Sequence, residues 1–144
     1  MKKFILFAVL GMAAFMSCTE KEYYDMETIN KYYTVEWKDW QKATDQDGYF
    51  LYYYCTFREP LLTNQVLDFH SFLSAYLYYK IDNRDTFSPL PYSDFIVDDK
   101  GYKWEEQLSI EYQPGYITFI LKVDDLYPVD PLSYYDFMVS IPKI

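Results

Sequence analysis

The sequence predicts an all-β fold, a two-sheet antiparallel β-sandwich of about seven strands with an Ig-like or related topology. Apolar and polar residues alternate with a period of two through most of the chain, as in strands with one buried and one solvent-facing side. Turn residues separate the alternating runs, and no long run has the helical period of about 3.6 residues. The composition agrees, because 22% of the residues are aromatic and 18 are tyrosines, which strands favour.

Seven runs carry this strand pattern. In YITFILKV, for example, Ile117, Phe119 and Leu121 lie on one face. The polar residues Thr118 and Lys122 lie on the other face, so the first set is expected in the core. The predicted strands are 32–37, 49–57, 72–81, 92–97, 102–112, 116–123 and 135–142.

Short turn motifs connect the predicted strands. The stretches DQDG and DDKG are turns rich in Asp and Gly. QPGY places Pro114 and Gly115 at the centre of a type II turn, which predicts a hairpin there. Thr63 is placed to cap a single helical turn over Asn64–Asp68.

The N-terminal segment is first basic, then apolar, and ends at a cysteine. Lys2 and Lys3 precede the apolar run 4–16, which is shorter than the roughly 20 residues that span a bilayer. Ser17 followed by Cys18 resembles the lipobox of bacterial lipoproteins, in which the cysteine is lipidated and becomes the first residue. Ordinary signal cleavage, with Cys18 as a bystander, is the alternative.

This interpretation sets the expected organisation and location of the chain. We expect a signal peptide at 1–17, a lipid-anchored tether at 18–30 and a single β-sandwich domain at 31–144. The protein is then exported and anchored to the outer membrane, at the cell surface or facing the periplasm. Glu20 and Glu22 resemble the surface-export signal of Bacteroidetes lipoproteins, and a generic polar linker is the alternative.

Nucleophile and metal chemistry find little support in the sequence. Cys55 lies in the apolar run YYYCTF, so we expect it to be buried as a small hydrophobic residue, with a disulfide to Cys18 as the alternative. The single His70 lies between two phenylalanines, which favours a structural or surface role over a catalytic one. No nucleophile elbow, phosphate loop or metal-helix motif is present, and no cofactor is expected.

Acidic residues outnumber basic ones, 22 to 13, and the net charge of −9 disfavours nucleic acid as a partner. A glycosidase needs two carboxyls about 5–10 Å apart across a cleft. The carboxylate pairs in this sequence are explained more simply as turn formers or solvent-facing side chains. These pairs are Asp45 and Asp47, Asp82 and Asp85, Asp98 and Asp99, Glu105 and Glu106, and Asp124 and Asp125. Asp45 and Asp47 resemble a fragment of a calcium loop, but the later bidentate Glu is missing.

Aromatic side chains are more numerous than one small core needs. Rings exposed on a sheet face can stack on sugar rings or form a hot spot for a partner protein. The alternative is that they fill a tyrosine-rich core. The candidate ligand-stacking residues are Trp37, Trp40, Trp104, Tyr52, Tyr54, Tyr76 and Tyr78.

Several segments between residue 32 and the C-terminus resemble a set of small Bacteroidetes lipoproteins of uncharacterised function, which are often exported β-sandwich domains. These segments are VEWKDWQ, GYFLYYYCTF, EPLLTNQVL, PLPY, YQPGYITFIL and FMVSIP. Such relatives often have a Gly after the VL element, where this chain has DFHSF. The resemblance implies a fold and a cellular location and brings no catalytic residues.

The predicted function is therefore that of a non-catalytic, lipid-anchored lipoprotein of the cell envelope that binds a glycan or a partner protein. A structural, adhesin-like subunit that pairs through an edge strand is one alternative. An enzyme acting on glycans is the other, and it requires two carboxylates that converge in a cleft with aromatic walls.

Overall fold

A computed structural model describes residues 26–124 and 134–144, and within them the chain forms two antiparallel sheets packed face to face. The predicted β-sandwich is confirmed. The strands are β1 (Thr28–Glu36), β2 (Gln41–Thr44), β3 (Phe50–Arg58), β4 (Ser74–Ile81), β5 (Arg84–Pro89), β6 (Tyr92–Val97), β7 (Lys103–Gln113), β8 (Tyr116–Val123) and β9 (Tyr134–Pro142). A short helix, α1 (Asn64–Asp68), and two 3-10 turns, Trp37–Asp39 and His70–Phe72, lie between strands.

One sheet has four strands in the order β1-β9-β4-β5, and the other has five in the order β2-β3-β8-β7-β6. Within each sheet the hydrogen-bonded neighbours are antiparallel. The two sheets meet through their apolar faces, and Phe119 of β8 stacks on Phe137 of β9 with ring centroids 4.0 Å apart. Side chains with less than 2% of their surface exposed are Phe119, Phe137, Leu62, Ile117, Leu121, Ile141, Val35 and Val139.

Two of the nine strands in the described residues, β2 and β5, were not predicted from the sequence. Both lie at a sheet edge. Their sequences, QKAT and RDTFSP, are polar and lack the apolar alternation on which the prediction depended. Polar and charged side chains protect an edge strand from pairing with another chain. Such strands therefore have few apolar residues and show little of the alternation that predicts a strand.

The first strand starts on the N-terminal side of the predicted boundary between tether and domain, which lies after residue 30. β1 begins at Thr28, which pairs with Pro142, and continues in register to Glu36 opposite Tyr134. The backbone bonds to the last strand, rather than the polar side chains of this stretch, determine where the domain begins. Residues 1–25, with the predicted signal peptide and Cys18, lie outside the described residues.

The two Asp-Gly turns have the same design. The Asp45 Oδ1 accepts hydrogen bonds from the backbone N–H groups of Asp47 and Tyr49, both at 2.9 Å. Asp98 repeats this pattern with the N–H groups two and four residues further on, at 2.9 and 2.8 Å. The carboxylates that the sequence offered as acidic pairs here therefore hold hairpin turns together.

The loop after β3 is tied to the β7–β8 hairpin. The N–H of Glu59 donates to the carbonyl of Gly115 at 2.8 Å, and the N–H of Gly115 donates to the carbonyl of Leu62 at 2.7 Å. Gly115 has φ of +80°, as the predicted Pro-Gly turn requires. The predicted cap of α1 is also confirmed, because the Thr63 hydroxyl accepts from the N–H of Val66 at 3.2 Å.

Candidate functional site

The outer face of the four-stranded sheet carries a cluster of four rings in contact, which we call the aromatic face: Tyr32, Tyr76, Tyr78 and Phe87. Phe87 of β5 stacks on Tyr78 of β4 with centroids 5.1 Å apart and meets Tyr76 edge-on at 6.3 Å. Tyr32 of β1 meets Tyr78 edge-on at 6.1 Å. The register explains the cluster, since Met138 of β9 lies opposite both Tyr32 and Tyr76.

The aromatic face is open to solvent and has polar groups around it. Tyr32 exposes 61% of its surface and Phe87 exposes 41%. The hydroxyl of Tyr78 donates to Asp85 Oδ1 at 2.8 Å, and this bond raises the pKa of Tyr78. Asp136 of β9 accepts from the Thr34 hydroxyl at 2.6 Å. Carboxylates and hydroxyls thus lie beside flat rings.

The sequence-predicted aromatics do not gather at one site. Tyr76 and Tyr78 belong to the aromatic face, whereas Tyr52 and Tyr54 of β3 lie on the outer face of the other sheet with centroids 6.4 Å apart. Trp37 lies in a 3-10 turn after β1 and exposes 66% of its surface. The prediction missed Tyr32 and Phe87 because membership of the face depends on which strands are neighbours.

Trp40 is a core residue rather than a ligand-stacking one, so this part of the prediction is wrong. It exposes 8% of its surface and meets the ring of Tyr135 edge-on at 6.0 Å. Among the described residues its indole N–H has no hydrogen-bond partner. Burial of this ring stabilises the sandwich, because it removes a large apolar area from water.

A cavity of about 590 Å³ opens where β4 and β9 separate. These strands pair only as far as Tyr78 opposite Asp136. Beyond that point β4 continues beside β5 and β9 continues beside β1, which leaves a gap into the space between the sheets. Residues of β4, β6, β7 and β9 line the cavity, including Tyr79, Tyr92 and Leu108.

A buried carboxylate lies in this cavity. Glu106 of β7 exposes only 6% of its surface. It accepts one hydrogen bond from the Tyr135 hydroxyl at 2.7 Å and another from the indole N–H of Trp104 at 3.1 Å. Asp94 of β6 lies directly opposite it across the strand pair and also lines the cavity.

The sequence contained a signal for Glu106 that the pairing with Glu105 obscured. Glu106 shares the parity of Trp104 and Leu108 in β7, which places it on the inward face. The explanation of the 105–106 pair as solvent-facing carboxylates is therefore wrong for Glu106. Trp104, predicted as a ligand-stacking ring, holds this carboxylate by a hydrogen bond instead of lying on an open face.

Cys55 and His70 behave as predicted from their surroundings. Cys55 is a free thiol with 8% exposure, and burial raises its pKa to about 11. A thiol with this pKa is protonated at neutral pH and is a poor nucleophile. His70 lies in an exposed 3-10 turn.

Comparison of the chain with protein-family models, with curated proteins and with solved structures found no match. Across residues 26–124 and 134–144, no three His, Cys, Asp or Glu side chains are grouped so that they could hold a metal ion, and the candidates Asp45 and Asp47 belong to a hairpin turn. No helix in the same ranges is long and apolar enough to span a bilayer.

The raised pKa of Cys55 leads to a prediction about alkaline stability. The folded chain holds the thiol proton to a pKa of about 11, compared with an ordinary value of 9.0, so unfolding releases a proton between these pH values. The free energy of unfolding is therefore expected to be unaffected below about pH 9 and to fall as the pH rises towards 11. Burial also raises the pKa of Tyr112, from 10.0 to about 12. The free energy of unfolding is therefore expected to fall further above pH 10 as this hydroxyl loses its proton in the unfolded chain.

Urea denaturation between pH 7 and pH 11 measures this effect. Cys55→Ala serves as the matched variant, because it removes the thiol without adding a titrating group. We expect a shallower decline between pH 9 and pH 11 in the variant. Equal slopes in the two proteins would show that Cys55 does not contribute.

Proposed function

We propose that this chain is a non-catalytic, lipid-anchored module of the cell envelope that binds a glycan on its aromatic face. The observation that carries the proposal is the contact of Tyr32, Tyr76, Tyr78 and Phe87 on the solvent-facing side of the four-stranded sheet. These rings add little to the core, which is built on the opposite side of the same strands.

This surface is suited to sugar recognition because it combines flat aromatic rings with hydrogen-bonding groups. The apolar face of a sugar ring stacks on a flat aromatic ring, and its hydroxyls need hydrogen-bond partners beside that ring. Asp85 and Asp136 supply carboxylate oxygens next to Tyr78. Each accepts a hydrogen bond from a hydroxyl group and keeps further lone pairs for a ligand. A surface meant to be fully desolvated by a protein partner would carry fewer charges at its centre.

The lipid anchor on Cys18 completes the proposal. An envelope lipoprotein presents its domain beyond the membrane surface, where glycans of the envelope or of the surroundings are accessible. Incorporation of a radiolabelled fatty acid into the chain, and its loss in Cys18→Ala, tests the anchor independently of any binding assay. An unlabelled wild-type chain would refute it.

The binding prediction concerns Tyr78, which contacts both Tyr32 and Phe87 on the aromatic face. We expect Tyr78→Ala to weaken glycan binding at least about fivefold, since a stacked ring contributes on the order of 1–2 kcal/mol. A glycan array with the full chain identifies the ligand, and titration calorimetry of the hits measures the loss. Tyr54→Ala, a partly exposed tyrosine on the other sheet, is the matched control and is expected to bind normally.

Three outcomes would contradict this assignment. If folded protein binds no glycan on the array, the proposal of a glycan ligand is refuted. If Tyr78→Ala and Tyr54→Ala lose equal affinity for the glycan, the aromatic face has no specific role in binding. A loss confined to Tyr54→Ala would transfer the site to the five-stranded sheet.

A hydrolytic function is the second candidate, because Asp94 and Glu106 lie opposite each other in a cavity with aromatic walls. Both oxygens of Glu106 already accept hydrogen bonds from protein donors, which favours a structural and binding role for this carboxylate. We expect no release of reducing sugar when an array hit is incubated with the chain. Release that disappears in Glu106→Gln would establish the enzyme instead.

A further inference from the structure

We propose that the cavity between β4, β6, β7 and β9 binds a small organic cation, an amine or quaternary ammonium group. This inference goes beyond glycan binding and does not depend on it. The residues that carry it, Glu106 and Asp94, are not part of the aromatic face.

The charge of the cavity is the first argument. Among the described residues, the lining contains three acidic residues, Asp94, Glu106 and Asp136, and one basic residue, Lys80. The carboxylate of Asp136 bonds to Thr34 on the outer face, so those of Asp94 and Glu106 are the two that carry the proposal. The nearest carboxylate of Lys80 is that of Asp85, 3.9 Å away, outside the cavity lining. None of the ion pairs found in the described residues includes a cavity carboxylate. The cavity is therefore a region of net negative charge with low-dielectric walls, which concentrates cations.

The burial of the Glu106 carboxylate is the second observation that supports a cation site. Burial of a carboxylate costs several kcal/mol unless it is well bonded, and its two partners, Tyr135 and Trp104, are both neutral. A carboxylate has roughly four lone-pair positions, so two hydrogen bonds leave it with acceptor capacity. A cation in the cavity would supply the positive charge that the described part of the chain does not place beside this residue.

The aromatic walls favour an organic cation over a bare ion. Besides Tyr78, whose ring lies on the aromatic face, four of the described lining residues are tyrosines: Tyr79, Tyr92, Tyr134 and Tyr135. Aromatic rings attract ammonium groups through their electron-rich faces, and cages of such rings recognise quaternary ammonium. The volume of about 590 Å³ lies within the range of small-molecule sites, about 300–1,000 Å³, and far exceeds the space that a metal ion needs.

The test compares choline with its neutral carbon analogue, 3,3-dimethyl-1-butanol, which has the same shape without the charge. Titration calorimetry uses the full chain in a nonionic polyoxyethylene detergent, which contains neither choline nor sugar. We expect choline to bind at least about tenfold more tightly than the analogue. Added salt should weaken the binding of choline and leave that of the analogue unchanged.

Three variants locate the site. Asp94→Asn and Glu106→Gln are each expected to weaken choline binding at least about fivefold, because each removes one negative charge from the cavity. Glu111→Gln removes a charge from the exposed face of the same strand as Glu106 and is expected to bind normally. Should Glu106→Gln fail to fold, the exposed Asp94 decides the question, since its replacement leaves the core intact.

The proposal is overturned if choline does not bind, if the neutral analogue binds equally well, or if Glu111→Gln loses as much affinity as the cavity variants. Because neither Asp94 nor Glu106 belongs to the aromatic face, these results stand whether or not the glycan proposal survives. Conversely, loss of glycan binding in Tyr78→Ala with normal choline binding in Asp94→Asn would support the glycan site alone and refute the cation site.

Discussion

Phe119→Ala is expected to lower the free energy of unfolding by about 3–5 kcal/mol. Phe119 is fully buried, stacks on Phe137 of the opposite sheet at 4.0 Å and contacts the rings of Tyr33 and Phe57 at 5.7 and 5.9 Å. Its removal leaves a void at the centre of the sandwich, where rings from both sheets meet. Domains of this size are stable by about 5–15 kcal/mol, so the variant would lie close to unfolding.

Urea denaturation followed by tyrosine and tryptophan fluorescence measures the loss. Phe87→Ala is the matched control, because it removes the same ring from the exposed outer face of an edge strand. We expect that variant to lose less than about 1 kcal/mol. Comparable losses in both variants would mean that the Phe119–Phe137 stack is not the centre of the core.

Glu59→Ala is expected to cost about 2–3 kcal/mol. This carboxylate exposes 4% of its surface and accepts from the Tyr33 hydroxyl at 2.5 Å and from the N–H of Leu61 at 3.2 Å. Burial, together with the bond to Glu59, raises the pKa of Tyr33. Removal of the carboxylate would leave both donors unsatisfied and loosen the loop that is hydrogen-bonded to the β7–β8 hairpin.

A double-mutant cycle with Tyr33→Phe separates the pair from the rest of the loop. We expect a coupling energy of about 1–2 kcal/mol, since a hydrogen bond to a charged group is stronger than one between neutral groups. Glu59→Gln keeps an acceptor and is expected to cost less than Glu59→Ala. Additive losses in the cycle would show that the bond to Tyr33 does not carry the effect and would leave the bond from the N–H of Leu61 as the contribution of the Glu59 side chain.

The alternation of apolar and polar residues was sufficient to predict the architecture. Ile117, Phe119 and Leu121 are buried as their shared parity indicates. The Pro-Gly and Asp-Gly turns join the strands expected, because their backbone conformations are determined by residues next to each other in the chain. Where the apolar signal is absent, as in the edge strand β5, prediction failed.

The candidate sites were only partly predictable. The sequence showed that Tyr76 and Tyr78 lie on the same side of one strand. Tyr32 and Phe87 join them on the aromatic face only through the pairing of β1 with β9 and of β4 with β5. The cavity arises from the separation of β4 and β9, which no local pattern encodes. The position of Glu106 in the alternating pattern of β7 places it on the inward side of the strand. It was instead grouped with Glu105 and interpreted as a solvent-facing carboxylate.

The sequence by itself determined which residues of each strand share a side and where the chain turns, because both depend on residues close together along the backbone. It also determined the expectation of a lipid anchor at Cys18. Only the tertiary structure decided which strands are neighbours, and therefore which rings meet on the aromatic face and which carboxylates line the cavity. Strand order and register are set by packing of the whole core, so the sites that depend on them are properties of the folded sandwich.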